Sequence, residues 1–235
     1  GSTISFTLTS GFSGLDNTAG LIKFNRALAA RVAVYRQQWS EALTALNESF
    51  FDINGSFTTG VYEVFSTGSG DQLNPAFFPQ NQAGEVRLAH PLYVTDIEAN
   101  DDRIGKATLR SSSVSNSGLT SDRDVWVYTS STAPIPVIRN EELILIFAEA
   151  NIQMTNFVNA LTALNKIRNG HNLPSYSGPL TQAALTDEML KQRRYSLFFE
   201  GHRWIDMRRY NRLADLPVDR TGDDVWSAFP IPSTE

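Results

Sequence analysis

The sequence predicts a mainly α-helical fold, with two helical hairpins of one kind held apart by a long loop-rich insertion containing short strands. Three observations carry this expectation. The stretch Ala42-Leu43-Thr44-Ala45-Leu46-Asn47 recurs letter for letter at Ala160-Leu161-Thr162-Ala163-Leu164-Asn165. Ahead of each copy runs an apolar segment with helical spacing, and an aromatic, Trp39 or Phe157, marks the turn between. From about residue 52 to 138 that periodicity fails, and Gly, Asn, Ser, Thr and Pro accumulate.

Taken in order, residues 3–17 are rich in Ser, Thr and Gly, with Ile4, Phe6 and Leu8 alternating, and read as a short strand or extended arm. Asn17-Thr18 offers an N-cap, after which Leu21, Phe24, Leu28, Val32 and Tyr35 form one helical stripe. Ser40 caps the next helix, so residues 18–50 make the first hairpin. The insertion, 51–138, carries short strands at Val86–Leu88 and Asp124–Tyr128 and a flexible polar loop at Ser111–Ser121. A stretch this long without helices is usually functional. From Ile138 order returns: Leu143, Ile146, Phe147 and Ala150 form a stripe, and the second hairpin ends near Gly170, a fitting left-handed C-cap before Pro174. Thr186-Asp187-Glu188 opens a further helix through Phe199, against which both hairpins are expected to pack through Leu197 and Phe198. Gly201 breaks that helix, 139–212 closes the ordered part, and Pro217, Pro230 and Pro232 mark an irregular tail at 213–235.

In each hairpin a small residue, Ala30 or Ala148, precedes Ala42 or Ala160 by twelve positions, and Leu46 or Leu164 follows by four. Small residues there let two antiparallel helices approach closely, a pattern that resembles the tetratricopeptide (TPR) repeat. The two copies are separated by far more than one such repeat, so they are no tandem solenoid.

Composition narrows the function classes. The chain has 235 residues, 41% of them hydrophobic, enough to bury a core. No segment is apolar over the length of a membrane span. A net charge of -5 argues against a nucleic-acid partner. With no cysteine there is no thiol chemistry, and His90, His171 and His202 show no metal-ligand spacing, so neither a metal nor a cofactor is expected. The carboxylate pairs Asp101-Asp102 and Glu141-Glu142 are sequence neighbours and do not face one another as a glycosidase pair must. No enzyme activity is expected.

The C-terminal text is the most specific. Ile138-Arg139-Asn140-Glu141-Glu142-Leu143 leads into the second hairpin, and Arg193-Arg194-Tyr195-Ser196-Leu197-Phe198-Phe199-Glu200-Gly201-His202-Arg203-Trp204-Ile205-Asp206-Met207-Arg208-Arg209 follows. With Phe24–Phe50 and the mid-chain Asp101-Asp102-Arg103, these resemble the SusD/RagB family of nutrient-binding outer-membrane lipoproteins of the Bacteroidetes. Gln192 and Ser196 stand where members often carry Glu, a departure expected to alter local ion pairs and not the fold. The resemblance implies a non-catalytic receptor on the cell-surface side of the outer membrane. It would bind an oligosaccharide or other nutrient and work with a SusC-like TonB-dependent transporter. It also implies that this chain is the C-terminal half of one such domain, the lipid anchor and further TPR units lying in the other half. In that case apolar residues of 19–38, among them Leu21, Ile22 and Val34, should reach the surface.

A sugar site needs aromatic faces with polar neighbours. Tyr62, Phe77, Phe78 and Trp126 are candidate platforms, with Asn74, Gln80 and Arg87 beside them. The same aromatics also suit the small core of a loop-rich region. Glu149, Arg193, Arg194, Glu200, Arg203, Asp206 and Arg208 read as a structural ion-pair network, since acids and bases interleave at helical spacing. The reading from a different class is a TPR-like scaffold that binds a peptide or protein.

Overall fold

The computed structural model describes residues 4–229 and 231. The two copies fold as the expected hairpins, α1 (Thr18–Tyr35) with α2 (Trp39–Asn47), and α4 (Asn140–Gln153) with α5 (Phe157–Gly170). Asn17 caps α1 by accepting from the Gly20 amide at 3.0 Å. Ser40 does not cap α2, which begins at Trp39 after a turn through left-handed Gln37.

The contact face of α1 is rotated from the expected stripe. Ala27, Ala30, Ala33 and Val34 are buried, Leu21, Phe24, Leu28 and Tyr35 are only partly so, and Val32 is exposed. Alanines line the contact because they let α1 sit close to its neighbours, and the large residues flank it. Val34 therefore belongs to the core, and the apolar residues that reach the surface are Ile22 and Val32, among exposed Lys23, Asn25 and Arg36.

Helix α4 is the centre of the molecule. Leu143, Ile146 and Ala150 pack with Ala30, Ala42 and Leu46 of the first hairpin. Its other side, Ile144, Leu145, Ala148 and Ile152, packs with Ala160, Ala163 and Leu164 of α5 and Leu185 and Met189 of α6 (Gln182–Ser196). With two apolar faces, and with Glu149 and Asn151 buried as well, α4 is covered nearly all round. The expectation that both hairpins lean on the next helix is thus corrected: the first hairpin rests on α4, and Leu197 joins only the second core.

Helix α6 starts earlier than Thr186, with Thr181 accepting from the Ala184 amide at 3.3 Å, and it stops at Ser196 instead of reaching Phe199. Phe199 and Gly201 are both left-handed, which ends the helix before α7 (His202–Arg209) begins. Gly170 is not the expected left-handed cap; that conformation falls to Asn172. Gly170 is needed for a different reason, since a Cβ there would strike the Phe57 ring.

The insertion is more ordered than its text suggests. Residues 4–17 form no strand, only a 3₁₀ turn at Ser10–Phe12, because Phe6 and its neighbours find no pairing partner. Ser111–Ser121 is not a flexible loop. It is most of a β-hairpin, β2 (Ala107–Asn116) against β3 (Leu119–Val125), reversed by Ser117 and Gly118 with positive φ at both, as a type I′ turn requires. A second pair, β1 (Gly60–Glu63) and β4 (Ile135–Arg139), ties the insertion's start to its end. Val86–Leu88 is no strand; it lies beside β3 through a single bridge, Leu88 to Asp124. Of the strand expected at Asp124–Tyr128, only Asp124 and Val125 belong to β3. A short helix α3 (Leu92–Thr95) then packs Tyr93 with Val125 and Tyr195, joining insertion to helical body. Pro217 lies in an irregular segment; Pro230 and Pro232 fall outside the described residues.

Candidate ligand-binding site

The scaffold of the site is a set of buried ion pairs. Glu149, on α4, accepts two bonds from Arg209 and one from the Tyr210 hydroxyl at 2.7 Å. Asp206 accepts from Arg193 Nε at 2.7 Å and from Arg209 at 2.9 Å. Glu200 lies in the break between α6 and α7 and is not part of a helical ladder of charges. It pairs with Arg139 at 2.5 Å, at the end of β4. Arg194 reaches Asp96 of the insertion at 2.9 Å, and Arg208 donates to the Ser227 carbonyl at 2.7 Å. Arg203 alone of these seven residues has no hydrogen bond or ion pair among the described residues.

The insertion is fastened to α6 by its Asp-x-Arg. Asp101 holds Arg103 at 2.7 and 2.8 Å, and Arg103 donates onward to Gln192 Oε1 at 2.7 Å and Ser196 Oγ at 2.9 Å. Lys106 then donates to the carbonyls of Tyr195 and Ser196 at 2.9 and 2.7 Å, satisfying the last turn of α6.

On this base stands an aromatic surface. Residues 74–90 run beside β3, with the Val125 amide donating to the Arg87 carbonyl and the Ala89 amide to the Arg123 carbonyl, both at 2.9 Å. Asp124 pins the segment: it accepts from Arg110 and, at 2.7 Å, from the Asn81 amide. Phe77 and Trp126 thereby meet with ring centres 6.0 Å apart, and the Arg87 guanidinium lies 4.2 Å over the Phe78 ring. All four are partly exposed, and Gln80 is exposed. Asn74 is placed differently. It is 4% exposed, and its amide is used up holding the Ala133 carbonyl and the Ala76 amide, so it shapes the loop. Tyr62 sits apart on β1, its hydroxyl donating to Thr58 at 2.6 Å.

Sequence reasoning missed a second concavity. A cavity of about 380 Å³ lies between α3, α6 and α7, lined on another side by Leu216 and Pro217. Arg193, Arg194 and Arg203 line it together with Phe198 and Trp204. The hint in the text was Gly201, a helix start with no side chain to cap it.

The paired carboxylates are all engaged with other side chains. Asp101 holds Arg103, Asp102 and Glu141 lie against the two ring nitrogens of His171 at 2.8 and 2.9 Å, and Glu142 accepts from Arg31 at 2.6 Å. Burial works to raise the Glu141 carboxyl, but the His171 hydrogen bond and Arg139 hold it well below the usual carboxylate range. A carboxylate so held has no proton to give as a general acid. Among the described residues no group of three His, Asp or Glu stands together for a metal, and no helix is long and apolar enough to cross a membrane.

The SusD family model matches residues 99–227. Among solved structures the chain is similar to a SusD superfamily protein from Bacteroides vulgatus ATCC 8482, at 18% identity and TM-score 0.57 over 84% of this chain and 52% of that one. It is similar to a SusD-like carbohydrate binding protein from the same organism, at 16% identity and TM-score 0.56 over 83% of this chain and 45% of that one. A SusD superfamily protein from Bacteroides thetaiotaomicron VPI-5482 gives 18% and 0.59 over 79% and 49%. At these identities the likeness speaks for the fold, and this chain spans about half the length of those it matches. No curated protein matches it.

Proposed function

Because this chain belongs to the SusD family, we propose that it is part of a non-catalytic, cell-surface receptor that binds an oligosaccharide or polysaccharide nutrient. The receptor passes its ligand to a SusC-like TonB-dependent transporter in the outer membrane, to which a lipid anchor keeps it close. Family membership is the observation that carries this reading. The aromatic surface of the insertion supports it: Phe77 with Trp126, and Phe78 under Arg87, offer apolar faces beside exposed donors, the combination a sugar ring needs. The engaged state of the paired carboxylates supports the non-catalytic part, and one structural neighbour is itself described as a carbohydrate binding protein.

The test is a panel of neutral and charged polysaccharides in affinity gels, followed by calorimetry with the best ligand. Trp126→Ala is expected to weaken binding by about tenfold while leaving the melting temperature nearly unchanged, as the loss of one stacking face predicts. Binding to a transporter-derived peptide with no affinity for any glycan would favour a protein-binding scaffold instead.

A further inference from the structure

We propose that the cavity between α3, α6 and α7 is a separate subsite for the carboxylate of an acidic sugar, a uronic-acid unit of the glycan. The inference rests on the glycan-receptor reading above and deepens it.

Three features converge on one negative charge. Arg193 is buried, its side chain 1% exposed; its Nε donates to Asp206, but its Nη1 is enclosed with no hydrogen-bond partner. A buried guanidinium nitrogen left without an acceptor is costly, and a ligand oxygen would relieve it. Arg203 also lines the cavity and has no ionic or hydrogen-bonding partner among the described residues. Burial, and then Arg194 beside it, push its guanidinium down from its ordinary value, against the pull of Asp206 and Asp215, which are themselves paired with other arginines. Finally, α7 opens onto the cavity at Gly201, with no side chain capping its first amides and no acidic residue in its first turn.

The acids that line the cavity do not supply the missing charge. Asp96 is held by Arg194, and Asp215 by Arg212 at 2.8 Å. His90 is engaged with Asp219 at 3.0 Å, and burial presses the His202 ring down to about 4, so it stays neutral.

The remaining walls say what accompanies the anion. Leu92, Leu197, Phe198 and Pro217 give an apolar chamber whose volume, about 380 Å³, is in the range of small-molecule sites. A bare inorganic anion would leave those walls unused. A hexuronate presents a planar carboxylate at one end, matched to the guanidinium fork, and C–H faces to the apolar side.

The experiment titrates the protein with galacturonate, glucuronate, galactose, a hexose sulfate and inorganic phosphate, followed by amide chemical shifts of the labelled chain. The uronates are expected to bind at least about tenfold more tightly than galactose, to shift amides of 201–204, and to weaken as salt rises. Arg203→Gln should lower uronate affinity by about tenfold, with Arg203→Lys recovering part of it. Because Arg203 holds no partner, both variants should melt with the parent, which separates lost binding from lost folding. Uronate affinity equal to that of galactose, or unaltered in Arg203→Gln, overturns the subsite. Phosphate or the sulfate binding as tightly as uronate overturns its assignment to a sugar carboxylate. If polysaccharides still bind while uronate does not, the subsite fails and the receptor reading stands.

Discussion

Gln192 is an example of how a single buried side chain settles a charge balance. Its oxygen accepts from Arg103 at 2.7 Å and its nitrogen donates to Glu188 at 2.8 Å. Glutamate, the residue that the resemblance leads one to expect here, could accept but not donate. In this chain Asp101 already neutralises Arg103, and Glu188 is already paired with Arg168 at 2.6 Å. Gln192→Glu should therefore destabilise the fold by roughly 1–3 kcal/mol, through one lost bond and two facing carboxylates. Urea unfolding measures this, and an unchanged or raised midpoint would show that Arg103 absorbs a second acid. His202 gives a pH effect. Burial pushes its ring down to about 4, and its Nδ1 lies 3.1 Å from the Tyr35 hydroxyl. The folded value lies below the unfolded one, about 6.5, so on acidification the unfolded chain takes up the proton first. This group's stability contribution is complete above about 6.5 and is lost as pH falls towards about 4, to the extent of roughly 3 kcal/mol. His202→Gln should melt with a shallower pH dependence across that window. Parallel curves for the two proteins would contradict it.

Among elements, the hairpins show what small residues do. Ala42 and Ala160 are both fully buried where two helices cross closely. Ala160→Trp should lower stability by about 1–3 kcal/mol or more, because the surrounding core cannot open without moving α4. A melting temperature equal to the parent's would refute the close crossing. These hairpins were legible because one stretch of text repeats and each copy carries its alanines in register. The face of α1 was misjudged because a scan for large apolar residues passes over Ala27, Ala30 and Ala33, which make the contact. The β2–β3 hairpin was missed for a related reason. Its strands are Ser- and Thr-rich, much of them exposed, so no alternation of burial marks them; only Ser117-Gly118 carried a signal, in its turn chemistry. At the candidate site the aromatic types were readable, and Phe77 and Trp126 do meet. Asn74 was not readable as a loop brace, because the carbonyl it holds belongs to Ala133. The cavity was invisible for the same reason: its walls come from residues 90–96, 193–204 and 215–217.

At the scale of the whole molecule, the parts are interlocked and not arranged in series. The first hairpin rests on α4, α4 rests on α5 and α6, and the insertion returns to α6 through Arg103 and Lys106. Each half of the sequence thus finishes the core of the other. The Ser117–Gly118 turn is an exposed joint between them, held from outside the hairpin by Arg220 at the Ser117 carbonyl. A protease cut there would separate α1, α2, β1, α3 and β2 in covalent terms from β3, β4 and α4–α7, yet would remove no side chain from the core. The nicked protein should elute as one species with near-parental helix content and come apart only in denaturant. The two pieces, made separately, should each be poorly folded and should assemble when mixed, because the alanine-lined groove of one is filled only by the other. Gel filtration of the cleaved sample, beside circular dichroism of the isolated and recombined pieces, reads both outcomes. Two pieces that fold and migrate independently would contradict the shared core. The repeated hairpins are thus not two spare copies of one module: despite their common text, they act as lock and key.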